Sequence, residues 1–530
     1  MSADHLTPGR RLLVTLSIGL AMFLAALDQT VVGTAMPRIV AELRGLDVYA
    51  WVLTAYLVTS TTLTPISGKL GDLFGRKPLL LVGMVGFVAA SALCGLSQDM
   101  AQLIAFRAVQ GVFGGILFST VFASIADLYS PAERGKVQGM FAGIFGIASV
   151  LGPVIGGFLT DNVSWRWVFY VNVPVGLAVI PFVAFVMPAA AAHTRTWRDI
   201  DVRGAVLLAV GLVPLLVALS ITRDHAWTSP EVVGLLAFGV VALAAFVHQE
   251  TRAKEPIVPL GLFRNRTFAV ACLTGFLVTV GMFGTIVFVP LVYQGVLGIA
   301  ATNSGLLLTP MTFALVLGAL TSGQLSVRVT RYRYVGTAGI ALMSIGMLLL
   351  SGVTVGTGEA EVVRDLVLTG FGLGLTMPLY VNAAQSAVAR EFTGVVTSQV
   401  QFWRNMGGTV GVAVLGAVLS ERLPQRISEN VAALGLPAEA RAALPSGASA
   451  QALFDPAAIA AARAALPPQL AGVFDQVMGA VRAALASTLH DVFLIGAAVV
   501  ATALVASVML DDVPLRRPAP GTRPAPAFGD

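Results

Sequence analysis

The sequence predicts an all-α membrane protein, and three observations carry that reading. Apolar residues make up 56% of the 530-residue chain and charged residues only 12%, whereas soluble domains carry about one quarter charged residues. The apolar residues come in blocks of roughly 18–25, the length a helix needs to cross a bilayer core of about 30 Å. They do not form the 3.6-residue stripe of a water-soluble helix. Lysine and arginine, finally, gather on alternate loops between the blocks, the asymmetry that orients polytopic proteins.

In chain order, spans are expected at 12–36, 50–71, 78–97, 101–127, 135–160, 167–188, 202–220, 231–249, 268–292, 303–328, 333–354, 362–388, 400–420 and 488–510. That is about fourteen helices, and an even count leaves both termini on one side. The first block is too long for a signal-peptide core, so it is read as a retained span. With the N-terminus inside, the inner loops and tails hold about 21 Lys and Arg, among them Arg76, Lys77, Arg134, Arg195, Arg198, Arg252 and Arg264. The short outer loops hold about five, Arg38, Arg44, Arg166, Arg223 and Arg364, so both termini are expected to be cytoplasmic. The net charge of +5 is then an orientation signal, and no nucleic-acid partner is expected.

These blocks divide the chain into a short N-terminal tail (1–11), a six-helix bundle (12–188), an inserted helix pair (189–250), a second six-helix bundle (251–510) and a Pro-rich polar tail (511–530) read as disordered. The second bundle contains an Ala- and Pro-rich extracytoplasmic insertion at 421–487, in which short helices are expected at 456–465 and 468–486. Val473, Phe474, Val477, Met478, Val481 and Leu485 recur there at helical spacing and form one apolar face. Cys94 and Cys272 both fall inside apolar blocks and read as small core residues. With five histidines at scattered positions, no metal site is expected. A faint internal repeat places Pro37 before Gly68-Lys69-Leu70 and Pro290 before Gly323-Gln324-Leu325.

Function is carried by the few polar interruptions. Gly68-Lys69-Leu70-Gly71-Asp72-Leu73-Phe74-Gly75-Arg76-Lys77-Pro78 joins the second and third spans. Its glycines permit a tight turn and close helix approach, and Asp72 among Lys69, Arg76 and Lys77 can form a charge network. An ordinary positive-inside loop would share the charges but not the dense Gly-x-Leu-x-Asp-x-x-Gly-Arg-Lys pattern. The counterpart at Gly323 keeps Gly, Leu and Arg and has Val327 in place of Asp72. In the fourth span, Arg107 and Gln110 interrupt apolar sequence. A buried arginine needs a partner; otherwise it snorkels to the nearer interface. In the first span, Asp28 lies roughly sixteen residues in, too deep to reach the cytoplasmic interface. A carboxylate there either pairs with a cation or protonates, because desolvation disfavours its charge. It is a proton carrier or a static structural pair with Arg107. The fifth span carries Gly139, Gly143, Gly146, Gly152, Pro153, Gly156 and Gly157, small faces for close packing with a proline that bends the helix.

These stretches, in this order, resemble the major facilitator superfamily. The Gly-Pro-x-x-Gly-Gly at Gly152–Gly157 matches that family's antiporter motif. Leu27-Asp28-x-Thr30, the fourteen spans and Trp165-Arg166-Trp167-Val-Phe-Tyr-Val-Asn172-x-Pro174 are similar to its fourteen-helix drug:proton antiporter branch (EmrB/QacA-type). The resemblance implies a major facilitator fold of two six-helix bundles plus two inserted helices, alternating access and export driven by inward proton flow. It implies no cofactor and a monomer in the inner membrane among lipids, and leaves room for a periplasmic adaptor. It also implies that Gly68, Asp72, Gly75, Arg76 and Lys77 form a conformational latch in which Asp127 and Arg134 take part.

The tenth and thirteenth spans carry no acid, and Asp28 reads as the one deep acid of the chain, which disfavours dicationic cargo. A monocationic, neutral, zwitterionic or lipidic amphiphile fits better. Tyr56, Asn172, Tyr293, Gln294, Tyr380, Asn382, Gln385, Gln401 and Arg404 are candidates for the cavity or for hydrogen bonds between helices. Trp51 and Trp403 read as interfacial anchors. Multidrug efflux is the leading expectation, with export of lipids or cell-envelope precursors as the alternative. A channel or a non-transporting sensor is the reading from another class. No catalytic cluster is visible, so no enzyme is expected.

Overall fold

The computed structural model describes residues 7–43, 48, 51–188, 201–222, 225–299, 308–328, 333–435, 463–464 and 468–510. The C-terminal tail, the loop at 189–200 and all but two residues of the helix expected at 456–465 lie outside the described residues. Among these residues fifteen α-helices run in order: α1 Pro8–Leu43, α2 Trp51–Phe74, α3 Arg76–Leu96, α4 Met100–Leu128, α5 Pro131–Asn162, α6 Trp167–Tyr170, α7 Asn172–Val186, α8 Val202–Ile221, α9 Pro230–Glu250, α10 Arg266–Leu291, α11 Thr309–Arg328, α12 Arg333–Ser351, α13 Glu359–Ser386, α14 Thr393–Ala433 and α15 Pro468–Val508. Short α6 and α7 together make one span, Trp167–Val186.

Among the described residues, 12 helices are long and apolar enough to cross a membrane. The two expected spans outside that set, α2 and α11, are 24 and 20 residues long. Their sequences are diluted by hydroxyls and glycines because both helices pack against protein. Large apolar side chains elsewhere face outward, Phe185 at 85% exposure being the extreme. An aqueous surface would not tolerate such a belt.

Helices α1–α7 form one half and α10–α15 the other, each around its own apolar core. Small residues set the spacing. In α4, a Cβ added to Gly115 would lie 3.0 Å from the Ser60 Cα of α2, so any larger residue would push the pair apart. The inserted hairpin α8–α9 lies across the seam between the halves. Its Leu208, Leu212 and Phe246 share a cluster with Ile257, Val258 and Phe402, flanked by Ile66 of α2 and by Trp403 and Met406 of α14. Trp403 is thus no interfacial anchor. It meets Phe263, Phe276 and Phe402 in edge contacts at 5.6–6.4 Å.

The insertion departs from expectation. Both α14 and α15 are single helices of 41 residues, about 60 Å long against a bilayer core of about 30 Å. The helix expected at 468–486 is the start of the last span, and residues 421–433 are the end of the preceding one. Its apolar face packs on neighbouring helices, with Phe474, Val477, Val481 and Leu485 all buried in the core of the second half. Arg422 and Arg426 both bond Asp491, at 2.5 and 2.6 Å, tying the two helices together.

Candidate functional site

The deepest polar cluster is built on α1, α4 and the start of α7. Asp28 is fully buried and lies eight positions before Met36, the end of its apolar span. That is about 12 Å along the helix. Arg107 sits at a matching depth on antiparallel α4 and is also buried. Arg107 Nη1 donates to Asp28 Oδ2 at 2.7 Å, and Gln110 Nε2 and Asn172 Nδ2 each donate to Asp28 Oδ1 at 2.8 Å.

The arginine is anchored on its other edges. Its Nη1 also reaches Gln110 Oε1 at 2.7 Å, and its Nε donates to the Val52 carbonyl at 3.2 Å. The guanidinium stacks over the Tyr56 ring at 4.4 Å. Asn172 in turn donates to Ser91 Oγ at 2.9 Å. Snorkelling by Arg107 is therefore replaced by a buried, multiply bonded ion pair. Three donors thus converge on one buried carboxylate, and Arg107 is its counter-charge. Sequence reasoning left Asn172 and Tyr56 open between a cavity and hydrogen bonds between helices; both stand against the Asp28–Arg107 pair.

A second cluster lies where the two halves meet, at the end bearing the 68–77 loop. Gly75 has φ of 89°, a left-handed conformation that favours glycine and lets α2 turn directly into α3. Asp72 then reaches across to the other half. It accepts from Gly394 N at 3.1 Å and Val395 N at 2.8 Å, at the first turn of α14. A carboxylate there meets the orphan amides and positive end of the helix dipole. Arg76 bonds Asp72 and also Asp127 Oδ2, the latter at 3.0 Å. Arg134 donates to the carbonyls of Tyr129 and Ala126, at 3.0 and 2.7 Å, and so caps the end of α4. Lys77 stands half-buried in the first turn of α3.

Gly68 leaves space for Ser398 and the Gly394 carbonyl. The internal repeat gives a second crossing at the same end, where α11 meets α5. A Cβ on Gly323 would lie 2.6 Å from Gly135 C and 2.7 Å from Lys136 N. Gly323→Val therefore cannot keep this crossing. Spin labels at Lys136 and Gln324 should move apart by about 2 Å or more, and an unchanged distance would refute the crossing.

The antiporter-motif glycines divide between two partners. Gly152 and Gly156 face Thr30, Thr34 and Val31 of α1, while Gly146 faces Val316 and Thr312 of α11. Gly157 has open space beside it, and the side chain of Pro153 lies outside the described residues. Thr30 Oγ1 donates to the Ala148 carbonyl at 3.0 Å. The helix carrying Asp28 is thus bonded to the helix that crosses to the other half.

The remaining cavity candidates are less uniform. Tyr293 and Asn382 are buried in the second half, and Tyr380 donates to Ser507 Oγ at 2.7 Å. Gln385 donates to Thr397 Oγ1 at 2.8 Å. These bonds join helices, and Tyr380 also lines a recess between α10, α13 and α14. Gln294 is half-buried, and Gln401 accepts from Arg404 at 2.7 Å.

Sequence reasoning missed three features. Lys69 donates to Glu255 Oε2 at 2.7 Å, joining the end of α2 to the segment after the inserted hairpin. Glu250, buried at the end of α9, accepts from Ile257 N and Val258 N at 3.2 and 3.0 Å. Asp365 of α13 is also buried, beside Arg364 at 2.8 Å, so Asp28 is not alone as a buried acid within a span. Asp365 sits six residues past the start of its helix, about 9 Å in. At the opposite end from Asp72, Arg166 bonds Glu42 and holds its carboxyl below the ordinary carboxylate value.

A family model described as the Major Facilitator Superfamily matches residues 18–412. The chain is 38% identical over 529 residues to the multidrug transporter protein MdtP of Bacillus subtilis, covering 97% of this chain and 95% of that one. It is 36% identical to multidrug resistance protein 3 of the same organism, over 91% of each. The solved structure of the human organic anion transporter MFSD10 (TETRAN) matches with a TM-score of 0.56 over 93% of this chain and 100% of that one. At 16% identity it speaks for the fold alone.

Proposed function

Because the chain belongs to the Major Facilitator Superfamily, we propose that it is a proton-coupled antiporter exporting hydrophobic or amphiphilic compounds across a bacterial cytoplasmic membrane. The observation that carries this reading is the sealed Asp28–Arg107 pair, a titratable charge with no solvent exposure in the middle of a membrane protein. Intramembrane acids of this kind are expensive and mark proton or ion pathways. The kinship to two proteins named for multidrug transport and resistance supports the cargo class.

Both termini are cytoplasmic in this reading, so the closed end at Asp72 faces the cytoplasm and the molecule is turned outward. In that arrangement Asp28 awaits a proton from outside. Loading it requires Arg107 to draw back, and the neutral Asp28 then travels to the inward arrangement, where the proton leaves and cargo enters. Membrane potential supplies about 2.3 kcal/mol per charge per 100 mV, and the pH gradient adds to it. No cofactor is needed, and one chain holds all the parts.

The experiment is transport in proteoliposomes under an imposed pH gradient, with a monocation, a neutral drug and a lipid as cargo. Cargo should move against its gradient and stop on adding a protonophore. Movement indifferent to the proton gradient, or conductance without saturation, would sink the reading. One observation favours a second cargo class. The extended α14–α15 pair runs well beyond the bilayer on the outer side, a surface that could receive lipids or cell-envelope precursors. Active movement of the lipid cargo alone would select that class.

A further inference from the structure

Arg404 is a second arginine deep in a span, and nothing described so far uses it. It lies eleven positions after Thr393, the start of α14. That is about 17 Å along the helix, near the midplane of a bilayer core of about 30 Å. Arg107 at its own depth meets a carboxylate. Arg404 Nη1 instead donates to Gln401 Oε1 at 2.7 Å, one turn back on its own helix, and no carboxylate pairs with it among the described residues. A guanidinium has five N–H donors in a rigid fork, so most of its capacity is unused.

The unused donors border a recess. Arg404 forms one wall of a small, partly open recess between α10, α13 and α14. Thr274 of α10 also lines it, fully buried, and its hydroxyl has no hydrogen-bond partner among the described residues. Gly275 follows, where a Cβ would lie 3.0 Å from Arg404 Cγ, so the glycine makes room for the arginine stem. Leu373, Met377 and Val400 supply apolar lining. The hollow therefore offers one positive charge, one idle hydroxyl donor and an apolar wall.

We propose that this recess is the head-group pocket of the cargo site and takes the oxyanion, carboxylate, sulfonate or phosphate, of an amphiphilic cargo. Arg404 is its counter-ion and Thr274 its second donor. A charge-assisted fork suits such groups geometrically, and a cationic head-group would meet like charge. The inference rests on the exporter reading for the word cargo, but the site itself is testable by binding alone.

Binding of two fluorescent probes with the same ring system, the anion dansylate and neutral dansylamide, would be measured on the full chain in phosphatidylcholine nanodiscs. The wild type should prefer dansylate, and Arg404→Gln should lose about tenfold or more of that affinity while binding dansylamide as before. Arg404→Lys should restore part of it. Should the glutamine variant fail to fold, Thr274→Val should still weaken dansylate selectively. Equal dansylate affinity in the wild type and a folded Arg404→Gln, or a wild-type preference for dansylamide, would overturn the site. If phosphatidylglycerol displaces dansylate from the wild type, the natural oxyanion is a lipid head-group; if not, it belongs to a soluble amphiphile. Dansylate binding through Arg404 without any proton-driven export would refute the exporter reading and leave the site. Export of neutral cargo with no dansylate preference would do the reverse.

Discussion

Asp28→Asn should abolish export driven by a pH gradient, by about 100-fold or more, while cargo still binds. The reason lies in the three donors around the carboxylate. Asparagine keeps one acceptor oxygen for Arg107 but turns an amide NH₂ toward Gln110 Nε2 and Asn172 Nδ2, both already donors to Asp28. It also leaves the Arg107 charge buried with no counter-charge. Breaking one side of a buried pair costs about 3–5 kcal/mol, so the melting temperature should fall by roughly 3–5 °C. A second change separates that structural cost from the functional one. Adding Arg107→Gln removes the stranded cation and should recover much of the melting temperature. Export should not recover, because the double variant still has no group at this position to carry a proton. Wild-type export by a folded Asp28→Asn protein would remove Asp28 from the mechanism.

The same cluster shows what a sequence can disclose. Asp28, Arg107 and Gln110 stand out on a first reading because polar groups in apolar sequence are expensive in any fold that crosses a membrane. Asn172 is equally visible, but its partner lies 144 positions away, and nothing local says whether it faces a cavity or a carboxylate. Lys69 and Glu255 were missed for the opposite reason. Charges near helix ends and in loops have water as a cheap default, so only the packing of the inserted hairpin against the seam makes them a pair. The extent of α14 was hidden by Pro424, which normally ends a helix but here lies inside one. It sits in the extension beyond the apolar span, where water can satisfy the carbonyl it leaves free. The idle capacity of Arg404 is likewise a fact of three dimensions, since the sequence shows a buried cation but not the missing anion.

Asp72→Asn should unlatch the molecule and cut export at least tenfold without touching any residue of the Asp28 or Arg404 sites. The carboxylate closes the gap between the halves with two hydrogen bonds to the first turn of α14 and with the Arg76 bond on its own side. Asparagine retains one acceptor but loses the charge that the helix N-terminus and Arg76 both complement. Hydrogen bonds to charged groups are worth about 1.5–3 kcal/mol each, so losing the equivalent of one shifts the balance between closed and open about 10–100-fold toward open. A transporter must visit both arrangements in every turnover, so a bias of that size in either direction slows the cycle. Spin labels on α2 and α14 at this end should report a longer distance, and cargo binding should persist. The Gly323 crossing makes the test sharper. It joins the halves through α5 and α11 with no charge involved, so it persists in Asp72→Asn and any change in the distance reports the carboxylate alone. If Asp72→Asn leaves both the distance and the export rate unchanged, the packed glycines alone hold this end shut and the carboxylate is no latch.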